Sequence, residues 1–398
     1  MTKTEIINAA FRVWGRNFYR KTSLSQLASE LKVSKPALYR HFESKQALTN
    51  AMTERFLDDF SSHIRVDFER AQAESDPDKG ISTIMRSLSA FFARDVYALI
   101  FSLINIYDRS LDSREVVQML KARGADMSVI QRIIEKKYTG DASITRLMFA
   151  TLTFFMSHYH KKNKSTENPL SEDEIQNITS VICKTINCGL GLSANEADID
   201  FDTLEKQVEE TSFDKEIEPF FKAIAEAVAD AGPWDVSMEM VAKKLGLSKS
   251  SLYGHFKNRK DMLRRLFVTE FKNIMDFAKA GISKSDNTAQ QLYLGIFSIA
   301  VYLRTRPEIL IAMDWIRTRR LDLGKPDKHV EIFRLFEDVN IEQLRGATED
   351  DKQRTSHWIL FQLINILINP SGKTALVQND SIRLLYKFIT MGLGGFIR

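Results

Sequence analysis

The chain has 398 residues, 44% of them hydrophobic and 27% charged, a balance that fits a globular protein and excludes fibrous and disordered classes. Its net charge of +4 is too mild to point to a nucleic-acid partner by itself, so the distribution of charge has to carry that argument. No unbroken apolar run of roughly 18 residues occurs, and the amphipathic start MTKTEIINAAFRVWGR lacks the order of a signal peptide, so the expectation is a cytoplasmic protein with no membrane partner.

Apolar spacing predicts helices over about Lys3 to Phe18, Leu24 to Leu31 and Lys35 to His41. Ser34 is a natural N-cap for the third, and Pro36 is tolerated in its first turn, where the missing amide would have no helical partner anyway. The second and third helices are separated only by LysValSer, a spacing that makes a helix-turn-helix whose second helix can enter a DNA major groove. Leu38 and Phe42 are spaced to face the core, leaving Lys35, Ala37, Tyr39, Arg40 and His41 to project elsewhere. Lysine, tyrosine, histidine and serine donate to phosphate oxygens, and Arg40 is the candidate reader of guanine. From Met1 to Asn50 there are nine Lys/Arg and three acids, about +6, which is an electrostatic footprint.

Beyond this region the 3,4 spacing continues, as in Phe149, Leu152, Phe155 and Met156, and no strand-like alternation bounded by hairpin turns interrupts it, so the fold class is all-α. Cys183 and Cys188 lie five apart on one helix, unsuited to a disulfide framework or a CxxC metal site, and are read as packing residues. His158 and His160 are two apart and point in different directions on a helix, a poor metal pair; His329 and His357 are isolated. GlyLeuGly at Gly189 and again at Gly392 falls at helix ends with no preceding strand, which reads as C-caps, not phosphate loops. No nucleophile with a base and no carboxylate pair stands out, so no catalytic residue, metal or cofactor is expected.

SANEADIDFDTLEKQVEETS, Ser193 to Ser212, holds seven acids against Lys206, with Phe201, Leu204 and Val208 at helical spacing; it reads as a solvated connecting helix. After it the sequence repeats. LSQLASELKVSKPALYRHF from Leu24 aligns without a gap with MEMVAKKLGLSKSSLYGHF from Met238, an offset of 214 that keeps Leu27/Val241, Ala28/Ala242, Leu31/Leu245 and Leu38/Leu252 in one apolar pattern. Further on, Ala90 and Arg94 align with Ala300 and Arg304 at an offset of 210, and the two GlyLeuGly runs align at 203. The expected organisation is a first DNA-binding domain over 1–50, a first regulatory domain over 51–192, the acidic linker 193–212, a second DNA-binding domain over 213–262 and a second regulatory domain over 263–398.

Both copies resemble the TetR family of transcription regulators. AAFRVWGRNFYRKTSLSQLASELKVSKPALYRHFESKQAL is similar to the whole DNA-binding region of that family, including its LYxHFxxK signature, and the second copy keeps it as LYGHFKNR. The resemblance implies an all-α architecture, three helices for DNA and the rest for ligand and dimerisation. It implies phosphate or base contacts from Thr22, Ser23, Ser34, Lys35, Ala37, Tyr39, His41 and Lys45, and in the second copy from Ser237, Ser248, Lys249, Ser251, Tyr253, His255 and Arg259. The chain departs from the pattern where the family favours glycine: Asn17 and Phe18, and then Lys32, stand in the first copy where the second has Gly232 and Gly246.

Family members are usually homodimers that set two identical helices into successive major grooves about 34 Å apart. Two copies in one chain therefore imply an intrachain pseudo-dimer, closed by the last two helices of each half, near Ile144 to His160 with Ile175 to Leu190 and Thr355 to Ile368 with Ile382 to Gly392. The heads differ: Pro36, Ala37 and Arg40 become Ser250, Ser251 and Gly254, and Asp214 to Arg264 carries nine Lys/Arg and eight acids, about +1, so an asymmetric operator is expected. The functional expectation is a DNA-binding, ligand-responsive repressor whose partners are double-stranded DNA and a small apolar or aromatic effector, with further homodimerisation left open. Aromatics and methionines such as Phe91, Phe101, Phe155, Tyr302, Met313 and Trp358 would supply its core, and the ligand-binding residues are not assignable from sequence. The alternative is a DNA-anchored protein-interaction factor with no small-molecule effector.

Overall fold

Helical spacing in the sequence becomes helix in the computed structural model, which describes residues 2–17, 23–105, 113–139, 142–162, 170–211, 218–319, 336, 339, 349–368 and 379–398, so that Phe18 of the first expected helix lies outside the described residues. Among these residues the only β pairing is an isolated bridge between Tyr138 and Ile397, so the fold is all-α.

The chain divides into two compact units, Met1–Lys184 with Ile397–Arg398, and Thr185–Phe396. The first holds α1 (Lys3–Asn17), α2 (Leu24–Glu30), α3 (Lys35–Tyr39), α4 (Lys45–Ala73), α5 (Pro77–Arg94), α6 (Val96–Asn105), α7 (Ser113–Ala122), α8 (Ser128–Lys137), α9 (Ala142–Lys162) and most of α10 (Glu172–Cys188). α4 packs on α5, α5 on α8 and α9, and α1 on α6. Ile64, Phe68, Ile84, Met85, Leu88, Leu147 and Met148 fill the core between them. Fully burying an aliphatic side chain of this size contributes about 1.5–3 kcal/mol, and this packing, not helix propensity, holds these helices in place.

The second unit continues with α11 (Ala194–Ala197), α12 (Phe201–Glu209), α13 (Pro219–Asp235), α14 (Met238–Leu245), α15 (Lys249–His255), α16 (Arg259–Ile282), α17 (Thr288–Arg304), α18 (Pro307–Arg319), α19 (Glu349–Leu367) and α20 (Asn379–Met391). α16 packs on α17, α13 on α18, and α17 also on α12, α19 and α20. Leu292, Phe297, Ile299, Trp358 and Phe388 are buried there. Gly232, with φ of 80°, breaks α13 just before Pro233.

The division at Lys184 falls ahead of Ser193 because the intervening residues are tied to α20: the Leu190 amide donates to the Ile389 carbonyl at 2.7 Å and the Leu192 amide to the Thr390 carbonyl at 3.0 Å. Gly189, Gly191 and Gly392 all take positive φ at helix ends, as C-caps do. Cys183 is half-buried but Cys188 is exposed, so only one of the two packs; five residues turn a helix through about 140°, which puts them on different faces. The acidic linker is helical but not solvated throughout, since Leu204, Val208 and Glu205 are buried. Among the described residues, no helix is long and apolar enough to cross a membrane.

Candidate nucleic-acid interface

Each head owes its geometry to helix ends fixed by side chains. Ser23 Oγ accepts from the Gln26 amide at 3.2 Å while Gln26 Oε1 accepts from the Ser23 amide at 2.7 Å, a reciprocal capping box that starts α2. Ser34 Oγ accepts from the Ala37 amide at 3.3 Å to start α3, with Pro36 in its first turn, and Ser44 Oγ accepts from the Ala47 amide at 3.0 Å to start α4. The second head repeats the scheme with Ser237 on the Met240 amide at 3.2 Å, Ser248 on the Ser251 amide at 3.1 Å and Asn258 on the Asp261 amide at 3.0 Å. Each such cap stabilises its helix by about 1 kcal/mol.

The turn is also the same in both. The Val33 amide reaches the Ala28 carbonyl and the Leu247 amide the Ala242 carbonyl, each at 2.9 Å, closing a left-handed helix end at Lys32 and Gly246. Behind the turn, Leu27, Ala28, Leu38 and Phe42 are buried in the first head and Val241, Ala242, Leu252 and Phe256 in the second. Burying one face of a short helix this way presents the opposite face to solvent.

On that outer face of the first head lie Ser34, Lys35, Pro36, Tyr39 and Arg40, with Ala37 and His41 half-buried; Tyr39 is 43% exposed despite its aromatic ring. The Lys35 ammonium sits 5.9 Å from the Tyr39 ring centroid. α3 stops at Tyr39, two residues short of the expected end, because the His41 amide turns to the Leu38 carbonyl at 3.0 Å in a tighter turn. On the second head Ser248, Lys249, Ser250, Ser251, Tyr253 and His255 are exposed, Tyr253 by 48%, and Ser237 is half-buried. His255 packs its ring 4.5 Å from that of Phe220. Ser23 is exposed at the start of α2, and Lys45 and Arg259 are half-buried first residues of α4 and α16; burial pushes the Lys45 ammonium below its ordinary pKa. Thr22 lies outside the described residues.

Both heads carry exposed cations. In the first, Lys3, Arg12, Lys32, Lys35 and Arg40 are all exposed. In the second, Lys244 binds Asp230 at 2.9 Å and Glu226 at 3.7 Å, and Lys249 lies 4.0 Å from Glu239. The sequence reading counted Glu239 only in the charge of the second copy and missed its place beside Lys249, although the aligned Ser25 in the first copy was the available signal. Among the described residues, no group of three or more His, Cys, Asp or Glu is placed to hold a metal ion. His160 Nε2 instead lies 3.0 Å from the Phe92 carbonyl, and the His158 ring stacks on Phe154.

The arrangement defines a class: two helix-turn-helix heads, each on its own helical unit, with polar and basic side chains on the outer face of the second helix. The sequence model of the family described as bacterial regulatory proteins, tetR family, matches the chain twice, at residues 6–52 and 220–266, so the matched stretches begin 214 residues apart, in the register of the internal repeat. The chain therefore carries the DNA-binding domain of the TetR family in two copies, which supports a DNA-binding transcription regulator. Among solved structures it is similar to the TetR family transcriptional regulator PfmR from Thermus thermophilus, with 20% identity over 45% of this chain and 97% of that chain and a TM-score of 0.34.

Proposed function

We propose that the chain is a cytoplasmic, ligand-responsive repressor that reads an asymmetric, pseudo-palindromic operator with two unlike heads. The observation that carries this reading is the paired design: two heads with the same serine-capped second helix, Ser34 to Tyr39 and Ser248 to His255, in one polypeptide. Ser23, Ser34, Lys35, Tyr39, His41 and Lys45, with Thr22, hold phosphates, as do Ser237, Ser248, Lys249, Tyr253, His255 and Arg259. Arg40 pairs with guanine, while Pro36 and Ala37 set the apolar fit; Ser250, Ser251 and Gly254 replace these in the second head, so its half-site lacks that guanine.

In this reading α9 and α10 pair with α19 and α20 as a four-helix interface, giving a pseudo-dimer from one chain. A small apolar or aromatic effector sits among the regulatory helices. Support for a route to the heads comes from the packing of α1 on α6, where Phe11 meets the Phe101 ring edge-on at 5.0 Å, and of α13 on α18. A shift of either regulatory helix moves the first helix of its head, and the effector thereby favours a head spacing that no longer fits the groove.

Selection from random duplexes by the purified protein tests the proposal. Enrichment of an inverted pair of unequal half-sites about one helical turn apart is the expected outcome. A perfect palindrome means that identical heads from two associated chains meet on DNA, and no enrichment favours the protein-interaction alternative.

A further inference from the structure

The acidic segment between the two copies is bound to the second unit by groups that only the second copy possesses. Phe201 of α12 sets its ring edge-on against Tyr293 of α17 at 4.8 Å and Tyr386 of α20 at 5.6 Å. Glu205, 5% exposed, accepts from the Tyr293 hydroxyl, from Arg383 Nε at 2.7 Å and Nη2 at 2.9 Å, and from Asn379 Nδ2 at 2.7 Å. Arg383 also binds Asp202, and at the far end Lys284 Nζ holds the Gln207 carbonyl and the Thr211 hydroxyl.

The repeat supplies an internal control. At the offsets of 210 and 203 read from the sequence, Tyr293, Asn379, Arg383 and Tyr386 correspond to Thr83, Gln176, Ser180 and Cys183. Those side chains offer neither the aromatic walls nor the guanidinium. The buried polar receptor therefore belongs to the connection, not to the common plan of the repeat. A bidentate Arg–carboxylate pair with two further donors is strong only where its geometry is kept, which makes the docked position specific.

Docking also removes slack. Residues 193–217 could span roughly 80 Å if extended, whereas docking up to Thr211 leaves only 212–217, about 20 Å of chain, before α13 of the second head. Slack in a connection decides which separations two linked binding modules can engage together.

We propose that residues 193–211 form an intramolecular clasp that fixes the connection to the second regulatory unit and so narrows the half-site spacings the chain accepts, an inference that rests on the two-headed reading above. The test compares the full-length protein with Glu205→Ala and Phe201→Ala, the second of which leaves the Arg383–Glu205 pair in place, and with Lys206→Ala on the exposed side of α12 as control. Cleavage by a glutamate-specific protease, mapped by mass spectrometry, is measured without DNA; affinity is then measured for duplexes whose selected half-sites are moved apart by one to five base pairs.

The expected result is cutting within 193–217 about tenfold faster in both clasp variants, with cleavage elsewhere unchanged. The parent and the Lys206 variant should lose about tenfold or more in affinity on displaced sites, and the clasp variants about threefold or less. A segment that stays protected in both clasp variants overturns the clasp, and an opened segment with an unchanged spacing profile overturns its role. A parent protein that binds no paired half-sites refutes the two-headed reading itself, a failure seen before any variant is made.

Discussion

Lys32 and Gly246 stand at the same point of the two heads, both in the left-handed region, with φ of 55° and 66°. A side chain in that conformation brings Cβ against the carbonyl and costs roughly 1–2 kcal/mol, partly offset because glycine loses more freedom on folding. Lys32→Gly should therefore stabilise the first head by about 0.5–1 kcal/mol, and Gly246→Lys should destabilise the second by a similar amount. Nothing lies within 4 Å of a Cβ at Gly246, so the loss there is conformational alone. Urea unfolding of each variant measures both, and a Lys32→Gly variant no more stable than the parent contradicts the strain.

The pairing of Lys249 with Glu239 predicts how DNA binding by the second head can be strengthened. The two are 4.0 Å apart and mostly exposed, so the pair adds little stability, but on the proposed reading it competes with phosphate for the lysine. Glu239→Ser, which installs the residue found at the aligned Ser25, should raise affinity for the operator about threefold at low salt and steepen the salt dependence. Lys249→Ala should lose less affinity than Lys35→Ala. Fluorescence anisotropy across a salt series reads all three, and an unchanged slope for Glu239→Ser would remove the electrostatic account of the difference between the heads.

The heads were legible in the sequence because everything that shapes them is local. Ser34 caps the helix three residues on, and Leu38 and Phe42 follow at helical spacing, so periodicity and capping chemistry suffice. The clasp was not legible. Glu205 sits in a run of acids that reads as a solvated face, and its partners Tyr293, Asn379 and Arg383 are 88 to 178 residues away in sequence. The same is true of Glu270 and Tyr302, which meet across α16 and α17. Local pattern fixes which face of a helix is apolar; it does not say which charged residue a distant arginine or tyrosine will take out of water.

Two buried carboxyls set opposite pH limits on the second unit. Glu270, 2% exposed, accepts from the Tyr302 hydroxyl at 2.6 Å; burial holds its carboxyl above the ordinary glutamate value, with Tyr302 and Arg306 opposing less strongly. A raised carboxyl contributes stability that is complete below the unfolded value and is lost as pH rises through the folded one. For Glu205 burial also pulls upward, but the bonds from Arg383, Tyr293 and Asn379 outweigh it and the net shift is downward. Its contribution is present above the unfolded value and is lost as pH falls through the folded one. Glu270→Gln should match the parent at acid pH and exceed it in melting temperature above the raised value, whereas Glu205→Gln should flatten the acid limb. Melting curves from pH 3.5 to 8.5 separate the two, and parallel curves for parent and Glu270→Gln would exclude a raised carboxyl there.

A close helix approach in the second unit gives the last expectation. Gly281 of α16 faces Ser298 of α17, which is fully buried, and a Cβ built at Gly281 would fall on Ser298 Oγ while meeting the Ser298 Cβ at 3.4 Å and the Leu294 carbonyl at 3.3 Å. The obstacle is thus a single hydroxyl on a side chain that cannot swing into solvent. Gly281→Ala should push α16 from α17 and destabilise the second unit by about 1–3 kcal/mol, despite alanine's better helix propensity. Ser298→Ala alone should be nearly neutral, since that hydroxyl makes no hydrogen bond among the described residues. Combined, the two substitutions should recover most of the loss, because the methyl then meets only contacts near van der Waals distance. The coupling in a double-mutant cycle, read by urea unfolding, should approach the full cost of Gly281→Ala. Additive effects would mean that the strain is carried by the backbone at Leu294 and not by the serine.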